Sequence, residues 1–194
     1  MGRRRKNEFR QDTFRKDILG KLLLTKRQRQ TFLRWFLFAT VCVVALIVQD
    51  VIMSRVRIFD TTTDLVPCCI LAVCILQGGE SGSIFALIGA LIFYFSGSSP
   101  GLSCIPLITT LGIFAAIFRQ AYLRQGFFTL LICLALTMVL YELATFGVGL
   151  FLEYTIPSRL SAFCVSGLMT LAVVPLIYPI LMSIGKIGGE TWKE

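Results

Sequence analysis

Six apolar runs follow one another along the chain, separated by short segments that are polar or contain glycine. The runs lack the regular polar positions that a helix with one face in water would need. Continuous apolar segments of this kind are typical of transmembrane helices. The pattern therefore predicts an all-α integral membrane protein with six transmembrane helices, in a membrane domain over residues 32–185. The predicted helices cover residues 32–53, 65–76, 83–95, 102–118, 127–152 and 160–184.

The second and third runs are the shortest of the six. Each holds about a dozen strongly apolar residues, and at ~1.5 Å per residue such a helix is shorter than the ~30 Å hydrocarbon core. A turn with Gly78, Gly79 and Gly82 joins them, and Gly89 lies within the third run. Helices two and three are therefore expected to be short and glycine-rich. They form either thin full spans or a re-entrant hairpin, and both arrangements return the chain to the same side.

Small residues share one face of the third predicted helix. Gly82, Ala86 and Ala90 follow one another at intervals of four, with Gly89 beside them. Residues spaced in this way lie on the same side of a helix, and the absence of bulky side chains lets a neighbouring helix approach. We therefore expect residues 64–101 to act as a packing and docking element.

A second glycine turn follows the third run, where Gly97 and Gly101 enclose Ser-Ser-Pro. Ser96 and Ser98 flank Gly97, but no base accompanies them, so a turn is favoured over a nucleophile. The chain also contains no histidine and no HExxH motif. These observations predict that the protein is not an enzyme.

Seven cysteines are distributed among the apolar runs without CxxC spacing. Cysteine in such surroundings behaves as a small apolar residue. Structural zinc and haem sites usually recruit histidine or clustered thiolates. We therefore expect no metal, no cofactor and no disulfide.

The composition agrees with a membrane protein, since 56% of the residues are hydrophobic and 15% are charged. The net charge of +8 is concentrated at the start, because residues 1–34 hold twelve of the nineteen Lys and Arg residues. Residues 1–31 are therefore predicted to form a basic cytoplasmic tail that attracts anionic lipid rather than nucleic acid. Residues 14–24 form either an interfacial helix or part of a solvated, disordered tail.

The orientation follows from the distribution of basic residues. With six spans, sixteen Lys and Arg residues lie on the cytoplasmic side, and Arg55, Arg57 and Arg159 lie outside. Cytoplasmic loops of membrane proteins carry this excess of positive charge. Both termini are therefore predicted to be cytoplasmic, with a short C-terminal tail over residues 186–194.

Glu142 is the one carboxylate placed well inside a predicted span. A charge at that depth is costly, so we expect Glu142 to face the bundle interior and to be protonated or paired. Tyr141, Arg159 or an arginine of a partner protein would serve as its partner. Glu142 is then a polar lock between helices or subunits, or a contact for a transported ligand. Alternatively, it lies beside an aqueous loop because the fifth helix is long.

Helix boundaries are suggested by polar residues and prolines. Asp64 precedes the second run and is expected to cap that helix, with Pro67 tolerated in the first turn. Pro175 and Pro179 lie within the last run. They are expected to bend that helix or to end its regular hydrogen bonding.

Several of these residues also carry a resemblance to a known family. Taken together, they resemble the bacterial rod shape-determining protein MreD family, over about residues 35–184. Many members have an acidic residue where this chain has Phe-Tyr-Phe at residues 93–95, so no role is transferred for that carboxylate. The basic tail is also longer than is usual in the family. The matching features are Asp64, Gly78, Gly79, Gly82, Gly89, the segment 96–101, Tyr141-Glu142, Phe146-Gly147 and Arg159 before a proline-containing helix.

The resemblance implies a non-enzymatic scaffold subunit of the cell-elongation complex in the bacterial cytoplasmic membrane. Its implied partner is a bitopic MreC-like protein and, through it, an MreB-like actin, a transpeptidase and a SEDS-type glycosyltransferase that build peptidoglycan. The family fold is similar to the substrate-binding subunits of energy-coupling-factor vitamin transporters, which supplies the alternative function of small-solute binding. The structural or partner-binding candidates are Glu142, Arg159, Asp64, Gly82, Gly89, Gly97 and Gly101.

Overall fold

The computed structural model describes residues 26–52, 63–122 and 127–187, which form six α-helices. A short 3₁₀ turn, Pro157–Arg159, leads into the last helix, and these residues contain no strand. The all-α class predicted from the apolar runs is confirmed. In chain order the helices are α1 (Lys26–Val51), α2 (Leu65–Gln77), α3 (Gly79–Phe95), α4 (Cys104–Tyr122), α5 (Phe127–Phe151) and α6 (Leu160–Gly185).

Most ends of the helices lie close to the ends of the apolar runs, but three differ by four residues or more. Helix α3 begins at Gly79 rather than at residue 83, and α4 ends at Tyr122 rather than at residue 118. Helix α1 begins at Lys26, inside the segment assigned to the basic tail. Lys and Arg have good helix propensity, so the first turns of α1 include basic residues ahead of its apolar part. The proposed interfacial helix over residues 14–24 lies outside the described residues.

Three of the helices are long and apolar enough to cross a membrane. These segments are Gln28–Val51, Phe128–Phe151 and Pro157–Gly185, while α2, α3 and the apolar part of α4 are shorter. Large apolar side chains such as Phe36, Ile47 and Leu168 are exposed on the outside of the bundle, as expected for surfaces that contact lipid. The described part of the chain thus has the character of a membrane protein, and the count of six spans stays a prediction.

Helix α2 is the centre of the bundle. Every residue from Leu65 to Leu76 is buried, and α2 packs against each of the other described helices. A helix that is apolar on all sides is stable when neighbours enclose it on all sides. Its 13 residues give a length of about 20 Å, so the predicted shortness is real. However, α2 contains no glycine, so the description of this helix as glycine-rich does not fit.

The small-residue face of α3 lies against α2. A Cβ atom at Gly82 would approach the carbonyl oxygen of Cys74 to 2.7 Å, and a Cβ at Gly89 would approach Cγ1 of Ile70 to 3.0 Å. The first approach is closer than van der Waals contact and involves backbone, which cannot move aside cheaply. The two helices therefore pack backbone to backbone near their shared turn.

Glycines with positive φ form the turns on both sides of α3. Gly78 (φ 64°) and Gly79 (φ 48°) connect α2 to α3, and Gly97 (φ 79°) and Gly101 (φ 134°) flank the turn to α4. These φ values disfavour residues with a Cβ atom. The hydroxyl of Ser98 in the second turn donates a 2.6 Å hydrogen bond to Oδ1 of Asp50, which attaches this turn to the end of α1.

Two prolines lie inside α6 without ending it. The helix runs through Pro175 and Pro179 to Gly185, so the prolines do not end the helix, and the expected bend stays a prediction. Where water is excluded, the remaining backbone groups have no better partner than the helix itself. The Ser183 hydroxyl also donates to the carbonyl oxygen of Pro179 over 2.7 Å.

Candidate functional site

Two carboxyl groups meet in the interior of the bundle, and they are the centre of the candidate site. Glu142 on α5 is only 5% exposed, and Asp64 immediately precedes α2 and is partly buried. Their side chains lie within hydrogen-bonding reach of each other. Because an ionised carboxylate only accepts hydrogen bonds, a bond between the two groups requires one proton.

Asp64 does not cap α2 with its side chain, contrary to the expectation from its position. It occupies the N-cap position, but its carboxyl group makes no capping hydrogen bond. The N–H of Val66 donates instead to Oε1 of Gln49 over 2.8 Å, and the N–H of Asp64 donates to Oγ1 of Thr170 over 3.0 Å. Side chains of α1 and α6 therefore satisfy the start of α2, and the Asp64 carboxyl group is free to meet Glu142.

Helix α6 adds two polar side chains, Ser166 and Thr170, to Asp64 and Glu142, and these four residues form a polar cluster. The Thr170 hydroxyl donates to the backbone carbonyl oxygen of Ser166 over 2.8 Å, and the Ser166 side chain lies within hydrogen-bonding reach of Glu142. Thr170 and Ser166 are both buried and four residues apart, so they lie on the same helix face. The spacing was visible in the sequence, but nothing there indicated that this face meets Asp64 and Glu142.

The expected partners of Glu142 are not its partners. Tyr141 is buried, but no hydrogen bond joins its hydroxyl to Glu142, and Arg159 is exposed at the start of α6. The expectation that Glu142 faces the interior is correct, whereas Tyr141 and Arg159 are wrong as its partners.

The other candidate residues lie away from this cluster. Gly82 and Gly89 lie at the contact between α3 and α2, and Gly97 and Gly101 lie in the turn before α4. Their roles are in backbone geometry and close packing. The structure brings Asp64 and Glu142 together, and it adds Gln49 of α1, which accepts a hydrogen bond from the start of α2.

The chemistry available to the cluster is hydrogen bonding and the holding of a proton. Within residues 26–52, 63–122 and 127–187, no group of three or more His, Cys, Asp or Glu side chains could hold a metal ion. The cysteines of these described helices form no disulfide with one another. The pair therefore connects the start of α2 to α5. Gln49 connects the start of α2 to α1, and Thr170 connects it to α6.

Comparisons of the chain with protein-family models, with curated proteins and with solved structures give no match. The function is therefore inferred from the carboxyl pair and from the packing around it.

Proposed function

We propose that the protein is a non-enzymatic scaffold subunit of the bacterial cell-elongation complex, inserted in the cytoplasmic membrane by six spans with both termini cytoplasmic. The observation that carries the proposal is the contact between Asp64 and Glu142. These residues belong to two separate parts of the resemblance to the MreD family. Their meeting in one buried cluster gives a physical reason for both to be present.

The filled centre of the bundle favours a scaffold over a solute-binding subunit. A solute site needs a concave pocket with several convergent polar groups, whereas α2 occupies the middle of the bundle and is buried along almost its whole length. The carboxyl pair is engaged with side chains of the protein itself. A groove of about 330 Å³ does lie between α5 and α6, but its lining is almost entirely apolar, which suits a hydrophobic partner better than a vitamin.

The basic tail supports the proposed orientation and a role beside anionic lipid. Residues 1–34 hold most of the positive charge, which favours their retention on the cytoplasmic side. On this proposal the membrane domain binds a bitopic MreC-like protein. That protein connects it to an MreB-like actin, a transpeptidase and a SEDS-type glycosyltransferase.

Affinity purification of the tagged protein from its native membrane tests the proposal, with an unrelated multi-pass protein carrying the same tag as control. We expect the bitopic protein and the peptidoglycan-synthesis enzymes to be enriched by mass spectrometry. Depletion of the protein should also convert rods into round cells. Enrichment of transporter ATPases, with normal rods after depletion, would contradict the proposal and support the vitamin-binding alternative.

A further inference from the structure

The two carboxyl groups of the pair lie in different surroundings. Glu142 is in the middle of α5 and is 5% exposed, and its Oε1 atom is buried without a hydrogen-bond partner in the part of the chain that the structure describes. Asp64 is partly buried and directly precedes α2. A negative charge with an unsatisfied buried oxygen is costly, and such a group takes up a proton instead. These surroundings favour the proton on Glu142.

The position of Asp64 favours its ionised form. Asp64 occupies the N-cap position of α2, a helix of 13 residues, and the N-terminus of a helix carries partial positive charge that stabilises an anion. Its carboxyl group makes no capping hydrogen bond and lies within hydrogen-bonding reach of Glu142. An ionised Asp64 can therefore accept a hydrogen bond from a neutral Glu142.

The groups that face the pair from the surrounding described helices carry no positive charge. The polar side chains from α1 and α6 do not titrate, and they are those of Gln49, Ser166 and Thr170. The titratable groups that act on the pair are the Cys68 thiol of α2 and the Tyr141 hydroxyl of α5, and both types of group are ordinarily neutral at neutral pH. Two carboxylates in contact would repel each other without a cation to balance them, so the pair keeps one proton.

We propose that Glu142 is a buried protonation site, a neutral acid at neutral pH that donates its proton in a hydrogen bond to ionised Asp64. Folding then takes up one proton from water, because a glutamate in the unfolded chain is ionised above about pH 4.3. Loss of that proton leaves two negative charges within hydrogen-bonding distance, and their repulsion weakens the attachment of the start of α2 to α5. This proposal does not depend on the proposed function.

Infrared spectroscopy of the purified full chain in an ester-free detergent tests the proposal, because a neutral carboxylic acid has a C=O stretching band that an ionised carboxylate lacks. We expect this band at neutral pH in the wild-type protein and its loss in Glu142→Gln. Glu80→Gln is the matched control at an exposed carboxylate, and it should keep the band. A wild-type protein without the band, or a folded Glu142→Gln variant that keeps it, would overturn the proposal.

Isotope labelling shows which member of the pair carries the proton, without any substitution. Glutamate labelled with heavy carbon at its side-chain carboxyl group should move the band of the wild-type protein to lower frequency, whereas labelled aspartate should leave it in place. Asp64→Asn should also keep the band, since Glu142 stays buried and then faces an uncharged amide. A band that moves only with labelled aspartate would place the proton on Asp64 and contradict the assignment.

The pH dependence of reversible unfolding in detergent measures the same proton independently. One proton held only by the folded protein lowers the folding constant up to tenfold for each unit of rising pH. The wild-type protein should therefore lose stability relative to Glu142→Gln between about pH 5 and pH 7. A difference that stays constant with pH would contradict proton uptake at Glu142. Stabilisation by sodium at fixed pH and ionic strength, absent in Glu142→Gln, would indicate a bound cation and overturn the proposal.

Discussion

The side chains of Asp64 and Glu142 lie within hydrogen-bonding reach of each other in the interior of the bundle, although they belong to different helical segments. This contact joins the start of the central helix α2 to the middle of α5. Removal of either partner leaves the other without its bond in an apolar setting, where an unpaired polar group is costly. The contact is therefore expected to stabilise the bundle.

Replacing Glu142 tests the stabilising role of the pair. Glu142→Ala should lower the free energy of unfolding by about 1–3 kcal/mol, because the Asp64 side chain loses its partner. Glu142→Gln should lie much closer to wild type, since an amide donates to and accepts from a carboxyl group. Thermal unfolding of the purified protein in detergent measures both effects.

The control for this pair of variants is Glu80→Ala, which removes an exposed carboxylate in the first turn of α3. It should change the unfolding temperature little. If Glu142→Ala and Glu80→Ala unfold at the same temperature, the buried pair does not stabilise the bundle.

Gln49 provides a second test, because it satisfies the start of a helix from a different part of the chain. Gln49→Ala should leave the buried N–H of Val66 without its acceptor and cost about 1–3 kcal/mol. Thr40→Ala is the matched control on the same helix, since the Thr40 hydroxyl is exposed and bonds only to the carbonyl oxygen of Phe36. Unfolding in detergent should separate the two variants, and equal stability would contradict the capping role of Gln49.

The close approach of α2 and α3 is tested at Gly82. Gly82→Ala places a Cβ atom 2.7 Å from the carbonyl oxygen of Cys74, so the helices must separate and the protein should lose stability by about 1–3 kcal/mol. Gly147→Ala is the control, because a Cβ at that helical position has nothing within 4 Å. It should be neutral or stabilising by up to about 1 kcal/mol. Chemical denaturation of both variants gives the comparison, and a neutral Gly82→Ala would contradict the close packing.

The basic tail gives a prediction for lipid binding that depends on the sequence alone. Residues 1–24 contain eight Lys and Arg residues and three acidic residues, and each basic residue near an anionic surface contributes about 1 kcal/mol. The full chain in zwitterionic nanodiscs should bind phosphatidylglycerol vesicles, and deletion of residues 1–24 should weaken that binding roughly tenfold or more. Salt should weaken it as well. Equal binding by the truncated chain would contradict an interfacial role for the tail.

Much of the fold was predictable because apolar runs report directly on helices that lie in an apolar environment. The runs placed all six described helices, and the glycines at positions 78, 79, 97 and 101 placed the turns on both sides of α3. The exceptions are the start of α1 and the prolines of α6. The helix propensity of the residues around Lys26 extended α1, and α6 continues through Pro175 because its backbone groups have no better partner where water is excluded.

The candidate site was only half predictable, for a related reason. Glu142 could be identified because a carboxylate in an apolar run must be satisfied somewhere in the interior. Its partner could not, because Asp64 looks like an ordinary helix cap in the sequence. The sequence predicts residues 64–101 as a packing and docking element, and the structure shows that the first residue of that segment also belongs to the polar cluster.

The sequence by itself determined the all-helical class, the apolar character of the helices, the positions of the turns and the need of Glu142 for a partner. These properties depend on the composition and spacing of neighbouring residues. Only the tertiary structure decided that α2 is the central helix, that Gln49 and Thr170 satisfy its start, and that Asp64 is therefore available to Glu142. These contacts join residues of four different parts of the chain, and their geometry depends on how the helices pack.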